Sequence, residues 1–141
     1  MKLQVILHSH DNKLWEINYG RFTISSEDDN FRISVGDYTG PEGWDVLTAA
    51  NGQPFQTFDR VASDNSAHVN CAAERRGAWW YTSNCEGPNV NGVNFNGEHL
   101  YPGTGIQWLN RSLEGVDWSR YSFYHVRVMI KPAGSGRRPR L

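Results

Sequence analysis

Alternating apolar and polar residues near the amino terminus predict a small antiparallel sheet. Leu3, Val5 and Leu7 occupy every second position and predict a first strand, which ends at a turn over residues 10–13. A second strand follows the turn directly, and the two strands together predict a hairpin. The second strand carries its apolar residues on one face, at Trp15, Ile17 and Tyr19.

The pattern then changes at Gly20, where a glycine inside a strand indicates a bulge or a close approach of another segment before the strand resumes at residues 22–24. The polar residues 25–30 predict a turn or a single helical turn. Renewed alternation at residues 31–35 predicts a third strand. The first 36 residues are therefore expected to form one small sheet.

The remainder of the chain is poor in periodicity. Residues 36–70 are punctuated by Gly, Pro, Asp and Asn, which predicts a long loop that carries function or holds an ion. A last strand is predicted from residue 121 to residue 130, and Pro132 ends it. We expect one domain over residues 1–132 and a disordered basic tail over residues 133–141. The last strand has one apolar face, formed by Tyr124, Val126, Val128 and Ile130.

The composition supports a single globular unit. The 141 residues fit one domain, and 38% hydrophobic residues with abundant Gly, Asn, Ser and Trp favour a loop-rich β or α+β fold. The net charge is −1. It gives no electrostatic reason to expect binding to a nucleic acid or a membrane surface, because such partners require concentrated Lys and Arg. No apolar run approaches the roughly 20 residues of a membrane span, and the amino terminus becomes polar too soon for a signal peptide.

A tryptophan pair lies between the two cysteines of the chain. Cys71 and Cys85 do not by themselves fix the cellular compartment, because a cysteine pair in a cytosolic protein can stay reduced. In an extended segment Trp79 and Trp80 point to opposite faces. One indole can then anchor a core while the other lines a surface.

Motifs for common enzyme chemistries are missing from the sequence. His8 and His10 could present two imidazoles to zinc, but the motif offers no third ligand, so a solvated strand end is the preferred interpretation. There is no nucleophile elbow, phosphate-binding loop, dinucleotide fingerprint or zinc-protease motif. The sequence therefore does not favour an enzyme.

Four ordered motifs stand out in the second half of the chain: N-G-Q-P-F-Q-T-F-D-R at 51–60, N-C-A…G-A-W-W-Y…N-C at 70–85, N-V-N-G at 89–92 and G-I-Q-W at 105–108. In this order they resemble the motifs of the fibrinogen C-terminal (fibrinogen-related) domain, the family of the ficolins, tachylectins and angiopoietins. The upstream strands and the closing strand fit the same family, so the resemblance spans nearly the whole chain.

The resemblance implies an α+β fold with a small antiparallel sheet and a loop-rich C-terminal recognition region. It covers the central and C-terminal subdomains only, because family domains are longer and open with a subdomain that this sequence lacks. That subdomain normally covers the sheet, so we expect an apolar face open to another chain. The resemblance further implies a Cys71–Cys85 disulfide and a cis peptide bond between Asn84 and Cys85.

In this family a ligand pocket lies beside the second cysteine. Glu86 stands where acetyl-binding members carry a histidine. An ionised carboxylate only accepts hydrogen bonds, which favours a cationic or hydroxyl-rich ligand there. The resemblance, together with nearby aromatic residues, nominates six ligand-binding residues: Arg75, Glu86, Tyr101, Gly103, Trp118 and Tyr121.

The family's calcium loop, which presents D-x-D before N-C, is altered in this chain. Ser63 and Asn65 stand at the two aspartate positions, which removes the charge that Ca²⁺ prefers. We expect a degraded site with weak or absent calcium binding, or else a shifted site formed by Asp59, Asp64 and Asn65. An ordinary polar loop is the alternative.

An insertion at residues 109–118 carries the sequon Asn110-Arg111-Ser112. Asn110 would be glycosylated if the chain enters the secretory path and the loop is exposed. The resemblance implies a secreted, extracellular protein, although this chain shows no signal peptide. Homo-oligomers would form through segments that are not present here.

The resemblance leaves three functional hypotheses open. The first is lectin-like binding of glycans or acetylated groups in innate defence, without catalysis. The second is a protein-binding module for a receptor or matrix partner, in which Tyr101, Trp118 and Tyr121 serve as aromatic anchors. The third is a fragment that cannot fold alone.

Overall fold

The computed structural model describes residues 1–60 and 70–132. It contains one short α-helix, three turns of 3-10 helix and eight strands within these residues. The 3-10 turns lie at Glu27–Asp29, Thr48–Ala50 and Trp118–Arg120, and the helix is α1 (Cys71–Arg75). The strands are β1 (Lys2–His8), β2 (Leu14–Ile24), β3 (Ile33–Thr39), β4 (Gly97–Glu98), β5 (Ser112–Leu113), β6 (Val116–Asp117), β7 (Tyr121–Ser122) and β8 (His125–Lys131).

The principal sheet has the strand order β3-β2-β1-β8, and all its neighbours are antiparallel. The predicted hairpin of β1 and β2 is confirmed, with Leu3 opposite Tyr19 and Val5 opposite Ile17. Period-two alternation places one face of the hairpin in the core, because side chains of successive residues point to opposite sides. The buried residues of this face are Leu3, Val5, Leu7, Ile17 and Tyr19, and the buried Ile33 and Val35 of β3 continue it.

The sheet is irregular at Gly20, as the sequence predicts. The buried positions of β2 shift from odd numbers at Tyr19 to an even number at Phe22, which is the signature of a local break in the alternation. A Cβ atom on Gly20 would lie 2.9 Å from the Cβ of Asp37 on β3. Glycine is therefore required by the close approach of the two strands.

The third strand lies further along the chain than predicted. It runs from Ile33 to Thr39 rather than over residues 31–35, because Asn30 and Phe31 both adopt left-handed φ angles of 58° and 54°. Its extension beyond residue 35 is supported by pairing with β2 as far as Thr39, which lies opposite Asn18. The expected loss of regular structure from residue 36 onward was wrong for these positions.

The predicted last strand is divided into two strands that belong to different sheets. Tyr121 and Ser122 form β7, which pairs with β4, whereas β8 pairs with β1. Between them, Phe123 donates its backbone N–H to the Ile106 carbonyl at 2.9 Å. The chain thus leaves one sheet and enters another within a continuous extended segment, which sequence alternation does not reveal.

Strand β8 forms one edge of the principal sheet, and its apolar face is only partly covered. Val126 packs against the core, but Tyr124, Val128 and Ile130 are 60%, 46% and 54% exposed. Val128 lies opposite the buried Val5, so it shares the core-facing side of the sheet without being covered. The sequence expectation of an open apolar face holds at this edge of the described residues.

Candidate functional site

The disulfide loop (residues 71–85) is closed by the predicted Cys71–Cys85 bond, with the two sulfur atoms 2.11 Å apart. Asn70 begins α1, because its side-chain Oδ1 accepts a hydrogen bond from the Ala73 N–H at 3.1 Å. Arg76 ends the helix in the left-handed conformation. These caps make a helix of only five residues possible, and they direct Arg75 inward.

Arg75 joins two loop segments through three hydrogen bonds of its guanidinium group. Nε donates to the Gly103 carbonyl at 2.8 Å, and Nη1 donates to the carbonyls of Cys85 at 3.0 Å and Gly87 at 2.6 Å. The side chain is 5% exposed. Its remaining nitrogen, Nη2, is buried without a hydrogen-bond partner in the part of the chain that the structure describes.

Burial lowers the pKa of the Arg75 guanidinium, and the nearby Tyr81 and Glu86 partly oppose that change. The guanidinium carbon lies 5.2 Å from the centre of the Tyr81 ring, a distance typical of a cation–π contact. Burial also raises the pKa of the Tyr81 phenol to about 12, although Arg75 acts in the opposite direction. The site therefore holds a buried cation beside a phenol that keeps its proton.

Asn89 connects this cation to the rest of the loop region. It is fully buried, its Oδ1 accepts from the Tyr81 hydroxyl at 2.8 Å, and its Nδ2 donates to the Arg75 carbonyl at 2.5 Å. Its backbone pairs with that of the buried Gln107 in both directions. Asn89 and Gln107 were not among the predicted site residues, because the sequence marks them only as parts of the N-V-N-G and G-I-Q-W motifs.

The tryptophan pair divides its roles as predicted. Trp79 is 5% exposed and belongs to the core, whereas Trp80 is partly exposed. The Trp80 indole N–H donates to the Phe31 carbonyl at 2.7 Å. The two rings contact each other edge to face at 5.0 Å. Trp80 therefore connects the disulfide loop by a hydrogen bond to the turn that precedes β3.

The turn at the second cysteine differs from the expectation. The cis peptide predicted between Asn84 and Cys85 is wrong, because all peptide bonds among the described residues are trans. Cys85 instead reverses the chain with a φ of 59°. A trans bond avoids the cost of about 2.5–4 kcal/mol of a non-proline cis bond. Glu86 follows on the exposed surface, and its N–H donates to Thr82 Oγ1 at 3.2 Å.

The six predicted ligand-binding residues do not form one cluster. Arg75, Glu86 and Gly103 lie around the disulfide loop, where Gly103 contributes a backbone carbonyl. Trp118 and Tyr121 instead line a separate cavity, and Trp118 is only 7% exposed. Tyr101 is 64% exposed and its ring stacks on Phe95 at 5.6 Å.

The separate cavity, which we call the aromatic cleft, has a volume of about 540 Å³. The turn between β1 and β2, strand β4 and the β5–β6 hairpin surround it. The side chains relevant to binding are Trp15, Trp44, Trp118 and Tyr121 on its walls with Glu98 and Glu114. Trp44 was not among the predicted site residues, because its position in the long loop carries no periodic signal.

His8 and His10 pack against tyrosines at the rim of this region. The His8 ring contacts Tyr124 at 5.3 Å, and the His10 ring contacts both Tyr121 and Tyr124. His10 Nε2 lies 3.2 Å from the Ser122 carbonyl. These contacts give both histidines a packing role at the strand end.

The fold and its motifs correspond to a known family. Residues 1–133 match the family described as fibrinogen beta and gamma chains, C-terminal globular domain. The chain belongs to this family. The match confirms the resemblance found in the sequence, and with it the α+β fibrinogen-like fold.

Curated relatives of this fibrinogen-like domain are considerably longer. Ryncolin-4 of Cerberus rynchops is 31% identical over 134 residues, which are 95% of this chain and 36% of the relative. Fibrinogen C domain-containing protein 1 of Mus musculus is 36% identical over 141 residues, which are 96% of this chain and 29% of the relative. The chain thus spans about a third of the length of the relatives that it matches.

A solved structure shows the same architecture. The fibrinogen-like globe domain of human ANGPTL2 superimposes with a TM-score of 0.76 at 31% sequence identity. The superposition covers 94% of this chain and 58% of that domain chain. The described part of this fibrinogen-like domain contains no helix long and apolar enough to cross a membrane.

The calcium site that the family implies lies mostly outside the described residues. Asp64 and Asn65 are not described, and the tail over residues 133–141 is not described either. Asp59 is exposed, and its Oδ1 accepts from Thr57 Oγ1 at 2.6 Å. Within residues 1–60 and 70–132, no three His, Cys, Asp or Glu side chains form a group that could hold a metal ion. The degraded calcium site stays a prediction.

The sequon of this fibrinogen-like domain lies at the surface. Asn110 is exposed immediately before the β5–β6 hairpin, and its Oδ1 accepts from Gln107 Nε2 at 3.3 Å. The hydroxyl-bearing residue of the sequon, Ser112, is also exposed. Glycosylation of Asn110 stays a prediction, and the geometry is compatible with it.

Proposed function

We propose that this fibrinogen-like domain is a secreted recognition module that binds a glycan or an acetylated group beside the Cys71–Cys85 disulfide, without catalysis. The observation that carries the proposal is the arrangement around Arg75. Its guanidinium fixes three backbone carbonyls, while Nη2 is buried without a partner among the described residues. Because Nη2 is covered, an acetyl carbonyl oxygen would reach it after a small movement of the covering turn. The contact would then relieve the cost of that unpaired donor, which is about 1–3 kcal/mol.

The turns around Arg75 are held before a ligand arrives. Cys85 is covalently fixed to Cys71, and Gly87 and Gly103 are held through the guanidinium. A surface that is already ordered loses less conformational entropy on binding. The exposed carboxylate of Glu86 adds an acceptor for sugar hydroxyl groups.

The proposal can be tested by NMR titration of the oxidised chain with N-acetyl-D-glucosamine and with D-glucose, both in millimolar calcium. We expect the acetylated sugar to shift the backbone amide signals of Glu86, Gly87 and Gly103 more than glucose does. Replacement of Glu86 by Gln should lower the affinity for the sugar, because it removes the ionised acceptor. The same change at the exposed Glu27, on the turn before β3, should leave the affinity unchanged.

A titration without shifts at these three amides, together with no retention on an array of acetylated glycans, would refute the proposal. Shifts that are equal for both sugars would show binding without acetyl selectivity. That outcome would leave a hydroxyl-directed lectin and would remove the acetyl-specific role assigned to Arg75.

A protein-binding module is the second candidate, and exposed apolar residues after β4 favour it. Leu100 is 80% exposed and the adjacent Tyr101 is 64% exposed. Such neighbouring residues can serve as anchors in a partner's pocket. Trp118 cannot serve in the same way without rearrangement, because it is buried. Loss of a captured receptor or matrix protein on Leu100→Ser and Tyr101→Ser replacement would support this candidate.

A further inference from the structure

We infer that the aromatic cleft is a second binding site, which takes a compact ligand that carries an ammonium group. The cleft is distinct from the proposed acetyl-binding surface, because Arg75, Glu86 and Gly103 do not line it. Its volume of about 540 Å³ is in the range of small-molecule sites, which is roughly 300–1,000 Å³.

Contacts between distant segments form the walls of the cleft. The His10 N–H donates to the Tyr121 hydroxyl at 2.8 Å, which holds the β1–β2 turn against β7. The Trp118 N–H donates to the Arg111 carbonyl at 3.1 Å, and Arg111 in turn donates to the Gly43 carbonyl at 2.7 Å. The hairpin is therefore fixed to the loop that carries Trp44.

Four aromatic rings contribute to the apolar wall, beside Leu113 and Val116. Trp15 stacks on Trp44 at 5.1 Å, and both contact Trp118 edge to face at 5.3 and 5.1 Å. Trp118 also contacts Tyr121 at 5.3 Å. Because each ring is held by its neighbours, the wall keeps its shape when a ligand enters. Electron-rich indole and phenol rings attract cations.

Carboxylates outnumber cations at the cleft. Glu98 and Glu114 are exposed, and neither forms an ion pair with another described residue. The third carboxylate, Asp11, accepts a hydrogen bond from Ser9 Oγ, and this bond is the largest cause of its lowered pKa. The single lysine at the cleft, Lys13, already pairs with Asp11 at 3.6 Å.

The nearby cation Arg120 does not neutralise the two glutamates, because its Nε pairs with Asp117 at 3.8 Å. An ammonium group at the cleft can therefore donate charge-assisted hydrogen bonds to Glu98 or Glu114. Its organic body can pack against the indole rings. A neutral alcohol of the same shape gains the packing and a hydrogen bond without the donor's positive charge, so the cleft favours the cation.

Cyclohexylammonium and cyclohexanol form a matched pair of probes, because they share a six-membered ring and differ in charge. Each is titrated at pH 7 into the oxidised chain while the indole N–H signals of Trp15, Trp44 and Trp118 are followed by NMR. We expect the cation to shift these signals at several-fold lower concentration than the alcohol does. Added salt should weaken the response to the cation.

Variants of Glu98 and Glu114 test whether these two carboxylates cause the preference of the cleft for a cation. Glu98→Gln and Glu114→Gln should each weaken binding of the cation by about threefold, a size typical of exposed charges. The matched control is Glu27→Gln, because Glu27 is an exposed glutamate that does not line the cleft. This control should not change the affinity for cyclohexylammonium.

Equal responses to the cation and the alcohol, or glutamate variants that bind the cation as the parent chain does, would overturn the inference. N-acetyl-D-glucosamine separates it from the proposed function. This sugar should shift the amides of Glu86, Gly87 and Gly103 and leave the cleft indoles unchanged. Failure of either response therefore counts against one site only.

Discussion

Arg75 has a position that explains why a five-residue helix persists in a loop-rich region. It ends α1, and its guanidinium binds carbonyls of the turns that follow Cys85 and precede Thr104. Among the described residues, no other charged side chain donates a hydrogen bond to these carbonyl oxygens. A buried arginine with neutral partners is tolerated because several directed hydrogen bonds replace its lost hydration.

We expect Arg75→Met to lower the free energy of unfolding by about 3–5 kcal/mol, because it leaves buried carbonyls without their donor. Urea unfolding of the oxidised chain measures this change. The neighbouring Arg76→Ala is the control, since Arg76 is exposed, and we expect a change within about 0.5 kcal/mol. Equal stability of the Arg75→Met variant and the parent chain would contradict the structural role.

Two buried tyrosines make the free energy of unfolding depend on pH in the alkaline range. Tyr19 is 1% exposed and donates its hydroxyl proton to Asp45 Oδ1 at 2.8 Å. Burial, and then this hydrogen bond to a carboxylate, raise its pKa. Tyr81 has its pKa raised to about 12 by burial. Both phenols therefore stay protonated in the folded chain at pH values where an unfolded tyrosine ionises.

Their contribution to stability is fully present below pH of about 10, the pKa of an unfolded tyrosine, and is lost as the pH rises through the folded pKa. We expect the free energy of unfolding to fall between pH 10 and 12 by up to about 1.4 kcal/mol per pH unit for each tyrosine. Urea unfolding at pH 9, 10 and 11 measures the slope. Tyr81→Phe should reduce the slope, and an unchanged slope would contradict the assignment.

At the scale of elements, strand β8 is the least protected part of the principal sheet. In the described chain it pairs with β1 on one side only. Its core-facing residues Val128 and Ile130 are about half exposed, at 46% and 54%. Arg127 and Lys131 charge the opposite side of the strand. An unpaired edge with exposed apolar residues can associate with another strand. The charges of Arg127 and Lys131 weaken this association.

We expect the chain to self-associate through β8 as its concentration rises. Ile130→Lys should shift the association to higher concentration, because it introduces a charge where apolar contact would form. Sedimentation velocity over a concentration series measures the effect. Ile24→Lys is the matched control, since Ile24 is 44% exposed at the end of β2. A purely monomeric parent chain, or equal effects of both variants, would count against this role of β8.

At the scale of the whole molecule, the sheet and the loop region are held together by different forces. The sheet has a continuous apolar face, whereas the loop region depends on the disulfide and on buried polar residues such as Asn89 and Gln107. Buried polar groups are stable only when their partners are present. The loop region should therefore be more sensitive than the sheet to loss of a single bond.

We expect the oxidised chain to unfold in one cooperative transition, and reduction of the disulfide to lower its stability by about 3 kcal/mol, the value for a loop of this length. The two cysteines are separated by 14 positions. Urea unfolding with and without reductant measures the loss, and the Cys71→Ser, Cys85→Ser double variant should match the reduced chain. An oxidised chain without a cooperative transition would instead support the hypothesis of a fragment that cannot fold alone.

The principal sheet could be predicted in outline because its signal is local. Alternation at Leu3, Val5 and Leu7 fixes which face is buried, since side-chain direction has a period of two. Gly20 was also informative, because few residues other than glycine fit a close strand approach. The shift of β3 was missed because the left-handed conformations of Asn30 and Phe31 depend on contacts of that turn with other segments.

The sequence by itself determined the family, the β1–β2 hairpin and the disulfide pair, because these depend on residue order and on motifs of fixed spacing. Only the tertiary structure placed Arg75, Glu86 and Gly103 at the disulfide loop and Trp118 and Tyr121 at the aromatic cleft. Trp15, Glu98 and Trp118 are far apart in the chain, and their proximity follows from packing of the turn, β4 and the β5–β6 hairpin. Such long-range contacts leave no periodic trace, since each segment alone is compatible with many arrangements.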